Sequence, residues 1–127
     1  MPFDGTDYAR SEAIARLDRA IGLLANERSW VKRVLETADG RRCIMGALRT
    51  ADAQMLEPFV CAAIEELTGK RLNVVAFNDT AGTTHAMVLQ VMLRSRELVA
   101  AADAAIMECI LSPAGARLHE PARQLWA

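Results

Sequence analysis

Apolar residues recur along this chain with the pitch of an α-helix. Over residues 8–26, Ile14, Leu17, Ile21 and Leu24 step by three and four, and Ala13 and Ala20 widen the stripe. Arg16, Asp18, Arg19 and Glu27 occupy the polar side, which predicts an amphipathic helix with Thr6 or Asp7 placed to cap it. Residues 53–68 repeat the pattern through Leu56, Phe59, Val60, Ala63, Ile64 and Leu67. Pro58 suits the first turn of that helix, or else kinks it, and Gly69 suits its end. Between the two, residues 43–50 (CIMGALRT) are apolar and small and predict a short buried helix whose Gly46 and Ala47 let a neighbour come close.

Further on, a heptad-like row of Val88, Met92, Ser95, Val99, Ala102, Ile106 and Cys109 predicts one helix over residues 84–111, with Thr83 or Thr84 as its cap and a break at Ser95 as the alternative. Pro113 and Gly115 stop it. The tail then offers Leu118, Leu125 and Trp126 to a last short helix or to a partner. Two stretches lack the helical period. Residues 30–42 hold Val31, Val34 and Leu35 and run into Asp39-Gly40, a turn pair, which predicts a loop or a short β-hairpin. Residues 72–82 pass from a β-branched run into Asn78, Asp79, Gly82 and two threonines, which predicts an ordered loop between helices. The expected fold is therefore all-α: a single compact domain of four to five helices, core over residues 8–98, with a helical extension and tail over 99–127.

A chain of 127 residues buries about two-thirds of its unfolded surface, enough for one core without metal or disulfide staples. Fifteen basic side chains against sixteen acidic ones give a formal net charge of -1, without the field that general nucleic-acid or anionic-membrane binding requires. Nucleic acid and membrane are accordingly not expected as partners. Cys43, Cys61 and Cys109 are odd in number and lie outside CxxC spacing, which points to reduced thiols in a cytoplasm. The opening MPFDGTDYARSE carries acidic residues where a signal peptide carries positive charge, and no apolar run reaches the roughly 18 residues of a membrane span.

Trp30, Asp39-Gly40, the CIMGAL run of residues 43–48, Phe77-Asn78-Asp79 and Thr83-Thr84 together resemble a family of small uncharacterised bacterial and phage proteins. That family is a domain of unknown function with a CxxGAL segment and a later FND…TT segment. The resemblance spans residues 13–96 and implies a compact helical domain; it transfers no catalytic or binding residue.

Among chemistry-bearing residues, Cys43, Asp79 and His85 could form a thiol–imidazole–carboxylate set, because a thiolate nucleophile needs a base and the base an orienting acid. The structural reading gives Cys43 to the core, Asp79 to a turn and His85 to the first turn of a helix. In the same reading, FNDTAGTT supplies helix caps. Lys32, Arg33, Arg41 and Arg42 form a basic patch beside Trp30, which reads either as a solvated rim or as a surface for a nucleic acid or its enzyme. His85 and His119 stand 34 residues apart, no cysteine pair has ligand spacing, and phosphate-loop and dinucleotide motifs are missing, so no metal or cofactor is expected. The row through Val99, Ala102 and Ile106, with Trp126, is the candidate partner surface; packing against the first helix is the alternative. The leading expectation is a non-catalytic cytoplasmic interaction or regulatory module, homodimeric through the long helix or bound to another protein. The alternative is a small enzyme or ligand-binding domain built on Cys43, Asp79 and His85.

Overall fold

Alanines set the spacing of the first helix. In the computed structural model, which describes residues 5–111, helix α1 (Gly5–Leu24) buries Ala9, Ala13, Leu17, Ala20 and Leu24 along one stripe. Ile14 and Ile21, expected at its centre, lie half-buried on its flank. Three small side chains in five let neighbouring backbones approach, and α1 is packed by helices on several sides. Thr6 and Asp7 lie inside the helix, so neither is its cap.

Five more helices follow among the described residues: α2 (Ile44–Thr50), α3 (Glu57–Thr68), α4 (Val74–Asp79), α5 (His85–Ala101) and α6 (Ala104–Leu111). The domain is all-α, without a strand among the described residues. Helix α5 lies between α1 and α3, α6 packs on α1, and α4 joins α2 to α3. Three links fix α5 antiparallel to α1. His85 meets the carbonyl of Leu24, Arg96 pairs with Asp18 at 2.7 Å, and Arg10 donates to the carbonyl of Ala102 at 2.9 Å. Val88, Val91, Met92, Ser95 and Val99 turn inward, and the Ser95 hydroxyl donates to the carbonyl of Val91 without interrupting the helix. Pro58 sits in the first turn of α3, and Gly69 closes it at a φ of 73°.

Three expectations are corrected. The long helix over 84–111 does not form. Ala102 leaves helical geometry at φ -69°, ψ 155°, and the Asp103 carboxylate accepts from the amide of Ala105 at 2.8 Å, starting α6 in a new direction. An aspartate here competes with helix continuation by capping its own successor. Residues 72–82 are not all loop, because the Asn73 side chain accepts from the amide of Ala76 at 2.7 Å and opens α4. The hairpin at Asp39-Gly40 is absent as well. Gly40 does turn at a φ of 86°, but only isolated bridges join Arg42 to Trp30 and to Glu36, and Arg33 at a φ of 74° bends the first arm away.

Among the described glycines, only Gly46 is pressed against another segment of the chain. A Cβ there would fall inside the carbonyl oxygen of Leu35 and 2.9 Å from its carbon, so residue 46 has no room for a side chain. A Cβ at Gly22, in α1, would meet nothing beyond its own helix within 4 Å. Gly46→Ala is expected to destabilise the domain by about 1–3 kcal/mol through overpacking. Gly22→Ala is expected to stabilise it by about 0.5–1 kcal/mol by removing glycine's conformational freedom. Urea unfolding of the two variants measures both, and the signs must be opposite.

Candidate functional site

The motif residues that were far apart in sequence meet around one side chain. Asn78, in the last turn of α4, is fully buried. Its Oδ1 accepts from Trp30 Nε1 at 2.7 Å and from the backbone amide of Ile44 at 3.1 Å. Its Nδ2 donates to the carbonyl of Val31 at 3.1 Å and to the Asp79 carboxylate at 3.0 Å. The carboxamide thus uses both acceptor positions and both amide hydrogens. Phe77 beside it is core, and its carbonyl accepts from the Thr83 hydroxyl at 2.7 Å. Thr84 caps α5 through the amide of Met87 at 3.2 Å.

Asp79 continues the same fastening. Its Oδ1 accepts from the amide of Arg33 at 2.7 Å, which holds that residue in its left-handed conformation. The Arg33 amide, then the Asn78 side chain and the charges of Arg33 and Lys32, keep the Asp79 carboxyl below its ordinary range. Lys32 Nζ donates to the carbonyls of Thr80 at 2.6 Å and Ala81 at 3.3 Å and lies 5.5 Å over the Trp30 ring. The Trp30 and His85 rings are 6.1 Å apart and tilted by 42°.

The three candidate catalytic residues each serve another partner. Cys43 is buried as the cap of α2, its Sγ accepting from the amide of Gly46 at 3.3 Å. His85 Nε2 meets the carbonyl of Leu24 at 2.7 Å. Asp79 holds Arg33, and among the described residues no hydrogen bond joins any two of Cys43, Asp79 and His85.

The basic patch is divided in the same way. Arg41 pairs with Asp39 at 3.2 Å, and Arg42 pairs with Glu36 at 2.7 Å while also reaching the Thr50 hydroxyl and the carbonyl of Gly40. Lys32 covers the end of α4, and Arg33 and Arg41 are the exposed members of the four. Of the candidate partner surface, Val99 is fully buried, Ala102 is half-buried at the corner before α6, Ile106 is 54% exposed, and Trp126 lies outside the described residues, as does His119. Among the described residues no group of three or more His, Cys, Asp or Glu side chains is placed to hold a metal ion.

A groove of about 510 Å³ between α3 and α5 was not foreseen from the sequence. Ala63, Leu67 and Leu93 line it with Glu66 and Arg94, and Arg94 bridges Glu66 at 2.7 Å and Glu97 at 3.2 Å. The sequence pattern marks Asn78 as no more than a local cap. The only hint of its role is its place between Phe77 and Asp79, because three of its four partners lie 34 to 48 residues away.

Asn78→Ala strands the Trp30 indole, the Ile44 amide and the Val31 carbonyl, and is expected to cost about 3 kcal/mol in a chemical denaturation. Asp79→Ala is expected to cost about 1 kcal/mol near pH 7, at the low end for a charged acceptor because the carboxylate is partly solvated. A lowered folded pKa gives stability that is present above the unfolded value of about 3.9 and lost as pH falls through the folded one. The stability gap between the native chain and Asp79→Ala must therefore narrow progressively as the pH is taken below about 3.9, read from unfolding curves at several pH values.

Comparison with known proteins finds no matching curated protein and no matching solved structure. One family does match, over residues 9–106. That span is wider than the resemblance over 13–96: it starts in the buried stripe of α1, takes in the whole Asn78 cluster, and passes the Asp103 corner into α6. On this match the chain belongs to a family of unknown function, DUF6197.

Proposed function

We propose that the domain is a non-catalytic interaction module of the cytoplasm, and that it engages a second copy of itself through the outer face of α6. The observation that carries this reading is the composition of α6 set against its burial. Its residues, AAIMECIL, hold one charge, yet Met107 alone among them is fully buried. Ile106 is 54% exposed, Cys109 is exposed one turn on, and Ile110 is half-buried beside them. A helix this apolar, packed on α1 by one edge, keeps a greasy face in water, and association is the ordinary way to remove it.

The seam is shorter than the row from Val88 to Cys109, since that row runs inward as far as Val99 and reaches the surface only after the Asp103 corner. The non-catalytic part of the reading is supported by the commitments of Cys43, Asp79 and His85 to caps and backbone groups. The cytoplasmic part is supported by Cys43 and Cys61, which are free thiols.

Sedimentation velocity over a range of concentrations tests the proposal on the full chain. The expected result is a concentration-dependent dimer that Ile106→Glu converts to monomer. Because Ile106 is mostly solvated, its substitution is expected to move stability by no more than about 0.5 kcal/mol. A chain that stays monomeric throughout overturns the reading.

A further inference from the structure

Residues 31–42 form a closed loop with a neck of their own. The amide of Val31 donates to the carbonyl of Arg42 at 3.0 Å, and the amide of Arg42 donates to the carbonyl of Ser29 at 2.8 Å, so the two ends of the loop stay together whatever its middle does. A loop whose ends are held together in this way is a compact unit of its own. Its grip on the domain is almost wholly polar. No residue from 31 to 42 is buried, and Val34 and Leu35 are 46% and 43% exposed. What holds it are Val31 on Asn78, Arg33 on Asp79, Lys32 on the carbonyls of Thr80 and Ala81, Arg42 on the Thr50 hydroxyl, and the Leu35 carbonyl, which lies on Gly46 and accepts from the amide of Cys43 at 3.3 Å.

We infer that this loop is a strap that lifts from the domain while the helical core stays folded, and that its lifting uncovers the thiol of Cys43. Segments with little apolar burial open at a smaller free energy than the whole protein, and this one also releases the left-handed backbone of Arg33 when it leaves Asp79. Directly under the Leu35 carbonyl is the first turn of α2, where the Cys43 sulfur accepts from the amide of Gly46. With the strap down, Cys43 is 4% exposed. With it raised, the cap of α2 faces water. The strap is a separate matter from the α6 face, since neither group of residues includes the other.

The test is the rate at which an aromatic disulfide reagent labels Cys43 in the full chain carrying Cys61→Ser and Cys109→Ser. The expected rate is slower than that of an open thiol and faster than global unfolding permits. Asp79→Ala should raise it about fivefold, the factor that matches its expected loss of stability, with Lys32→Ala as a second variant acting in the same direction. Val88→Ala, buried in α5, should lower global stability without a matching rise in labelling. Labelling that rises with Val88→Ala by the full factor of its stability loss overturns the proposal, as does labelling at the rate of an unprotected thiol. Amide hydrogen exchange of the unmodified chain gives an independent reading. The amides of Arg33 and Cys43 should exchange well ahead of those of Met92 and Ser95, and simultaneous exchange overturns the proposal.

Discussion

The carboxamide of Asn78 is the constraint on which the non-helical third of the domain depends. An amide side chain is the one neutral group that can accept two hydrogen bonds and donate two, and here each goes to a different demand: an indole, a helix-start amide, a loop carbonyl and a carboxylate. Buried polar atoms with partners are tolerated, while unpartnered ones are costly. The satisfied cluster therefore ties α4, the start of α2 and the loop after Trp30 to a single geometry. It substitutes for the regular ladder that a hairpin would have provided, and it does so with one residue.

The helical part is governed by closeness. Alanines on α1 and the bare backbone at Gly46 bring main chain against main chain, and this lets a domain with few aromatic residues enclose a core. Much of the remaining bulk comes from side chains such as Leu17, Leu56, Ile64, Phe77 and Met92, all fully buried. Charge plays a smaller part. Arg96 with Asp18 and Arg94 with Glu66 cross between helices on the exposed side, where such pairs orient elements more than they stabilise them.

Much of this was written locally in the sequence. The period of α1, α3 and α5, the caps at Thr84 and Gly69, and the place of Pro58 are properties of a few neighbouring residues. Two failures have separate causes. Six residues of α4 are too few for a period to emerge, and the β-branched Val74 and Val75 hide the cap at Asn73. At the other end, Ile106 and Cys109 keep the spacing of the row across the Asp103 corner, so the pattern survives a break that the aspartate alone announced. The Asn78 cluster was not legible at all. Its residues were singled out by the family resemblance, but their meeting joins segments whose separation no local rule spans. Cys43, Asp79 and His85 were likewise noticed for their chemistry, whereas their partners are backbone groups that the sequence does not mark.

The same carboxamide bears on chemical ageing. Spontaneous deamidation needs the side-chain carbon to be attacked by the next backbone nitrogen, a ring closure that helical geometry and burial both oppose, and Asn78 has both. Were it to occur, an acid would replace the amide, its two donors would vanish, and a second negative charge would stand against Asp79 and the Val31 carbonyl. The fold thus shelters from slow hydrolysis the asparagine whose loss it would least withstand, while Asn26, exposed at the start of a single turn, has no such burial.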